Sequence, residues 1–279
     1  MAISNYTKHT RNMTGSKTTG IFSIHIDIDE SLKGDNMEKI ALWKMLRKKD
    51  TFRNLYTNHV NYAYRTNASY TLFDKIHPDV PMDLTPYNQI QLSKFFYANE
   101  MMKEYSQVLY LDFDVVPVSW EKFPFQEGLS IRNMWQGPRA EAVEMMLKGG
   151  VKPWSTVVKL AMVDMLGKYE NDTLNIFNTG VMGFVNVDLD LDYSEEIECL
   201  LNPDIQWWPD ELFRYNITVN NEAMFTHKIL VKNNVPVNYL ASKWNYLVDW
   251  QDSFRTIQCE PEEAYFNHYI RKNFPWKIT

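Results

Sequence analysis

The sequence predicts an α/β fold, one domain with a mostly parallel central sheet flanked by helices. Three observations predict it. Short runs rich in β-branched and aromatic residues are separated by stretches with helical period. Their order over the first third is strand, helix, strand, helix, strand, which implies parallel neighbours joined by right-handed crossovers. An apolar run at 108–111 then ends in Asp112-Phe113-Asp114, and a second apolar run follows. Open α/β sheets bind ligands at the carboxyl ends of their strands, where this pair of carboxylates falls. The 279 residues, 45% hydrophobic and 14% aromatic, suffice for a large core and are unlike a disordered chain.

Residues 1–18 read as a flexible polar arm, and 19–279 as the domain. Residues 20–28 alternate apolar and polar side chains and form the first strand. Asp35-Asn36-Met37-Glu38 opens a helix that Ile40, Trp43 and Leu46 carry to about Lys49. A second helix covers 52–64 and a short strand 69–73. The stretch 77–85, with Pro78 and Pro81, is loop. A helix over 87–105 puts Ile90, Phe95, Ala98, Met101 and Met102 on its apolar face, and the Asp-x-Asp strand follows at once. Residues 119–175 read as insertions, with helices near 140–148 and 156–166. Residues 176–187 are a strand interrupted at Asn178-Thr179-Gly180 by a tight backbone feature. Helices at 195–201 and 221–231 and a strand at 235–240 precede the tail, His268-Tyr269 through Pro275-Trp276.

Bulk properties narrow the function. Net charge is −6 and no Lys/Arg stripe stands out, so the electrostatics do not suggest nucleic acid. An anionic substrate would need a metal to supply positive charge. The two cysteines, Cys199 and Cys259, lack metal-ligand spacing and form no disulfide framework, which points to a reducing compartment. The polar start carries no signal-like apolar segment, and no run reaches the length of a membrane span. The expectation is a soluble cytoplasmic protein. Two hard carboxylates at a strand tip suit Mg²⁺ or Mn²⁺, which share their coordination with substrate phosphates.

Four blocks in order carry a family resemblance. They are Leu92-Ser93-Lys94-Phe95, Leu109-Tyr110-Leu111-Asp112-Phe113-Asp114, Phe177-Asn178-Thr179-Gly180-Val181-Met182, and His268-Tyr269 with Pro275-Trp276. A looser match is Asn220-Asn221-Glu222-Ala223. Together they resemble GT-A (Rossmann-like) glycosyltransferases of the glycogenin and lipopolysaccharide galactosyltransferase group. The resemblance implies a UDP-sugar donor, a glycan or glycoprotein-glycan acceptor, and a divalent cation, usually Mn²⁺. It places Asp112 near ribose and metal, Asp114 on the metal, and His268 as third protein ligand. Lys94, Asn178 and Gly180 are expected at the donor, and Asp27, at the end of the first strand, at nucleobase or ribose. The chain also resembles the small soluble glycosyltransferases of chlorella viruses, which implies a UDP-xylose donor and a role in capsid glycan synthesis.

The tail departs from the family's His-x-x-Gly-x-x-Lys-Pro-Trp, with Arg271 in place of the glycine and Phe274 in place of the lysine. Arg271 or Lys272 then becomes the candidate for charge on the diphosphate. Trp207 and Trp208 are candidates for an acceptor platform, since sugar faces stack on indoles, and core packing accounts for them equally. Glu222 and Asp210 are the candidate catalytic carboxylates, as base or nucleophile, with retention or inversion open. Two other readings stay open: a noncatalytic sugar-nucleotide or glycan-binding module on a decayed fold, and a nucleotidyltransferase or phosphohydrolase. The latter lacks the expected glycine-rich phosphate loop at 20–34.

Overall fold

A computed structural model describes residues 18–26, 44–81, 86–138, 173–194, 235–248, 258–270 and 272–276. The N-terminal arm up to residue 17, the start of the helix at 35–49, and the expected helices at 140–148, 156–166, 195–201 and 221–231 lie outside the described residues.

Strand β1, Thr19–Ile24, ends earlier than the alternation suggests. Helix α1, Lys49–Arg65, buries Thr51, Leu55, His59, Tyr62 and Ala63 on one stripe, with Asp50 in its first turn and Arg65 in its last, matching the helix dipole. It stops in a left-handed cap. Asn67 has φ 59°, its N–H reaches Tyr64 O at 3.2 Å, and Ala68 N–H reaches Ala63 O at 2.8 Å. Strand β2 is Ser69–Phe73, as the sequence indicates. Helix α2, Pro86–Glu104, starts on a proline, whose missing N–H has no helical partner to lose at that position. Strands β3, Gln107–Leu111, and β4, Val115–Pro117, flank the Asp-x-Asp segment. Strand β5, Gly128–Pro138, lies inside the stretch read as insertion, where the sequence reading had no strand. Then come β6, Thr173–Val185, β7, Val237–Tyr239, β8, Tyr246–Leu247, and β9, Phe266–His268.

Six strands form one sheet in the order β2-β1-β3-β6-β5-β7. The pairs β1–β2, β1–β3 and β5–β7 are parallel, while β6 is antiparallel to both β3 and β5. Only β6 therefore runs against the rest, and the sheet is mostly parallel. Both faces are covered. Val108 and Tyr110 pack with Phe95, Ala98 and Met101 of α2, whereas Leu109 and Leu111 pack with Tyr62 and Ala63 of α1 and with Trp244 and Phe266. Burial on both faces is why β3 reads as a continuous apolar run and not an alternating one. A second sheet, β4-β9-β8, lies beside the first. The chain passes from the large sheet to the small one at Asp112-Phe113-Asp114.

Beneath that segment His59 is fully buried. Its Nε2–H donates to Val115 O at 2.5 Å, and Nδ1 lies 3.0 Å from Ser23 Oγ and 3.1 Å from Tyr70 Oη. Nδ1 is thus the acceptor, and the ring is neutral. Burial lowers its pKa from 6.5 to about 4, against smaller upward effects of the Val115 hydrogen bond and the Asp114 charge. His25 stacks on Phe113 at 4.7 Å, and burial, with Arg47 nearby, also lowers it to about 4. Both folded pKa values lie below the unfolded one, so the unfolded chain binds more protons between them. Their effect is a stability present above about pH 6.5 and lost as pH falls towards 4, by at most about 1.4 kcal/mol per pH unit for each ring. Urea midpoints measured across this window should fall on acidification, with a shallower slope in His59→Asn. A flat profile in the wild type would contradict the assignment.

Candidate metal centre

Phe113 anchors the Asp-x-Asp turn. It is buried with Leu55, Val116 and Tyr269, and Phe52, Phe274 and Trp276 pack against the same cluster. Phe274 stacks on Trp276 with ring centroids 4.9 Å apart. The residue that departs from the family's lysine therefore has a packing role here. With Phe113 pointing inward, the two flanking aspartates are turned towards the carboxyl end of β3. Asp112 N–H donates to Gly180 O at 2.7 Å, and Val115 N–H closes the turn on Asp112 O at 2.9 Å.

Strand β9 brings His268 to this turn. It pairs antiparallel with β4, with Val115 opposite His268, and parallel with β8. Tyr269 N–H donates to Asp114 O and Val248 N–H to His268 O, so the backbone of His268 is held from both sides. Its Nε2 lies 3.8 Å from Asp112 Oδ2 and 3.6 Å from Asp114 Oδ2. One ligand atom from each of Asp112, Asp114 and His268 falls within a common 4.8 Å. Adjacent ligands of an octahedral ion bound at 2.0–2.1 Å stand roughly 3 Å apart, so a small contraction closes this triad on a divalent cation. Two carboxylates and an imidazole suit Mn²⁺ or Mg²⁺, and the residues fit such an ion.

Two ammonium groups balance the two carboxylates. Lys94 is 1% exposed, which excludes a solvated helix lysine. Its Nζ donates to Thr179 Oγ1 at 3.1 Å, stands 3.5 Å from Asp112 Oδ1, and lies over the Tyr110 ring. Tyr110 Oη–H donates to the same Asp112 oxygen at 2.5 Å. Lys272 pairs with Asp114 Oδ2, the oxygen that also faces His268. Burial acts to raise the Asp114 pKa, but the Lys272 ammonium and the His268 ring outweigh it and hold the carboxyl well below its usual range. Lys272 adopts φ 59°, a left-handed conformation that costs a side-chain-bearing residue roughly 1–2 kcal/mol. The ion pair to Asp114 helps to offset that strain. The Lys272 ammonium is a stand-in for a cation at this carboxylate.

The interruption expected in the strand at 176–187 is a bulge. Against β5, Ile131 pairs with Met182 and the next residue, Arg132, pairs with Asn178, so Thr179, Gly180 and Val181 stand out of that ladder. Asn178 Oδ1 accepts from Gly180 N–H at 3.0 Å and from Asn245 Nδ2 at 2.8 Å. Gly180 leaves the space that the imidazole fills, because a Cβ there would sit 2.3 Å from His268 Cε1. The structure thus brings together Lys94, Asp112, Asp114, Asn178, Gly180, His268 and Lys272. Asp27, Trp207, Trp208, Asp210, Glu222 and Arg271 lie outside the described residues. Sequence reasoning missed Tyr110, hidden in an apolar run, and Asn245, which sits between two aromatics with no motif around it.

Comparison with known proteins gives the following. No family model matches the chain, and no curated protein matches it. Among solved structures it is similar to a glycosyltransferase involved in glycosylation of the major capsid of PBCV-1, at 14% identity over 90% of this chain and 92% of that one, with a TM-score of 0.39. It is also similar to the galactosyltransferase LgtC in complex with donor and acceptor sugar analogs, at 14% identity over 92% and 89% of the two chains, with a TM-score of 0.38. A third is the bifunctional glycosyltransferase WbbM, at 12% identity over 94% of this chain and 47% of that one, with a TM-score of 0.40. No helix among the described residues is long and apolar enough to cross a membrane.

The close approach at Gly180 has a measurable consequence. In Gly180→Ala the added methyl meets a ring whose backbone is held by both neighbouring strands, so overpacking should destabilise the fold by about 1–3 kcal/mol. The displaced ring should also weaken Mn²⁺ binding. Urea denaturation and a Mn²⁺ titration check the two together, and full retention of both would remove the packing account of this glycine.

Proposed function

We propose that the protein is a metal-dependent glycosyltransferase of GT-A type, moving a sugar from a UDP-sugar to a hydroxyl of a glycan or glycoprotein glycan. The observation that carries the reading is the convergence of Asp112, Asp114 and His268 at the carboxyl end of β3, with Lys94 and Lys272 beside them. The ordered motifs that resemble glycosyltransferases give the reaction class. A divalent cation held by the three ligands supplies positive charge to a departing diphosphate.

The chain's own groups have separable tasks in this reading. Lys94 and the Tyr110 hydroxyl hold Asp112 in one orientation from below. The Phe113 cluster fixes the turn. Asp27 meets the nucleoside, and Arg271 with Lys272 meets the diphosphate. Trp207 and Trp208 receive the acceptor, and Glu222 or Asp210 takes its proton as base in an inverting reaction or serves as nucleophile in a retaining one. UDP-xylose heads the donors to be tried, through the resemblance to the chlorella-virus enzymes.

A UDP-sugar panel with Mn²⁺ and with EDTA tests the function. Turnover of one donor that EDTA abolishes is the expected result, and undiminished activity in EDTA removes the metal role. Asp114→Asn should lower turnover at least about 100-fold, equivalent to ~2.7 kcal/mol of transition-state stabilisation. A variant near the wild-type rate contradicts the ligand assignment.

Lys272 gives a test with opposite signs. Lys272 pairs with the Asp114 oxygen that would be a cation ligand, so with the site filled its ammonium would be released from Asp114 and available to the diphosphate. Lys272→Met should therefore bind Mn²⁺ alone more tightly, by about tenfold, while binding UDP in the presence of Mn²⁺ more weakly. Calorimetry of each binding step reads the two signs. Weaker binding of Mn²⁺ alone would exclude the exchange.

A further inference from the structure

We infer that Asn245 is a positioning residue. It ends a polarity relay that starts at a backbone N–H in the β6 bulge and fixes His268 in the tautomer that presents a lone pair to the two aspartates. The inference rests on the reading of His268 as a metal ligand. The relay begins with the one group whose polarity is beyond choice, the Gly180 N–H, which can only donate. It donates to the side chain of Asn178 at 3.0 Å, which makes that atom the amide oxygen. The same oxygen lies 2.8 Å from the Asn245 side chain, so Asn245 must turn its NH₂ towards Asn178. Its own oxygen is then left facing His268 Nδ1, at 3.1 Å. An oxygen can only accept, so Nδ1 carries the hydrogen. In the neutral ring Nε2 is therefore the bare nitrogen, and Nε2 is the atom near Asp112 and Asp114.

Each member is held where the relay needs it. Asn245 is 0% exposed, so no water competes for its amide. It follows the 3₁₀ turn Ser242–Trp244 and accepts the Arg132 Nη1 donor on its carbonyl, which ties its backbone to β5. Leu247, two residues on, pairs with His268 across β8 and β9. The Asn178-Thr179-Gly180 block thus has a task in this chain apart from any contact with a donor sugar. Its bulge supplies the N–H that begins the relay, and its glycine leaves room for the ring that ends it. A ligand imidazole whose far nitrogen is fixed by a hydrogen bond holds its metal better, typically by 10–100-fold against a variant without that bond.

The test reads the tautomer directly and without metal. Long-range ¹H–¹⁵N correlation spectra of metal-free, ¹⁵N-histidine-labelled protein in mildly alkaline buffer, with His268 assigned by its loss in His268→Gln, should show hydrogen on Nδ1. Asn245→Leu should lose that preference and bind Mn²⁺ 10–100-fold more weakly by electron paramagnetic resonance. Asn245→Asp keeps an acceptor facing Nδ1 and should keep hydrogen on that nitrogen, while its second oxygen, now set against Asn178 Oδ1, should lower the urea midpoint. Loss of the Nδ1 hydrogen in both variants alike would mark a merely structural role and overturn the inference. So would a wild-type spectrum with hydrogen on Nε2, a result that needs no variant to fold. The wild-type tautomer as stated, in a protein with no Mn²⁺ affinity, supports the relay and overturns the metal reading instead.

Discussion

The site depends on the pairing of two three-residue strands. β4 and β9 share three residue pairs, and the one nearest the Asp-x-Asp turn sets Val115 against His268. Because side chains alternate across a strand, a slip of one residue would turn the imidazole to the opposite face and away from the two aspartates. The register has help from outside the strands. Phe266 lies in the core with Tyr62 and Trp244, and Tyr269 lies with Phe113. These apolar anchors bracket His268 and hold it at a position its own chemistry would not choose, since a buried imidazole beside carboxylates needs a partner for every polar atom.

Charge imposes a second constraint. Asp114 is almost fully buried, and a lone carboxylate there would be expensive. The Lys272 ammonium, the largest of the effects that lower its pKa, keeps it ionised. Lys94 faces Asp112 from inside the core, where its ammonium also meets the Thr179 hydroxyl and the Tyr110 ring. The two lysines differ in reach. Lys94 is enclosed on a helix, while Lys272 sits in a turn of the tail, and this difference makes Lys272 the mobile charge in the proposed exchange.

Much of this was legible in the sequence. The first strands and both described helices follow from periodicity, because local pattern and tertiary burial agree there. The Asp-x-Asp strand is legible because burial on both faces makes its apolar run continuous. The Asn178-Thr179-Gly180 interruption is legible as a break in a strand, since three residues without apolar period sit inside an apolar run. What was not legible is pairing between distant segments. Strand β5 carries Arg132 and Asn133 in its middle, which reads as loop until its two partners are seen to satisfy it. Asn245 has no local signal, because its role comes from what it faces across two sheets. Gly180 was expected to admit a donor sugar, and the neighbour that its missing side chain admits in this structure is His268.

The order of segments along the chain has a consequence for how the centre comes into being. Among the described residues the six strands of the large sheet are complete by Tyr239, yet His268 arrives only with β9 at Phe266–His268. During synthesis the chain can build its main sheet, with both aspartates in place, before any imidazole exists to complete the triad. Domains fold as units as they emerge, so an interval is expected in which the sheet is assembled and cation affinity is low. A chain cut between residues 240 and 266 would lose His268 and, with it, Phe266, which packs in the core with Leu109 and Leu111 of the sheet. In the proposed reading the triad closes only once residues 266–268 have joined β4, after the strands of the large sheet have been made.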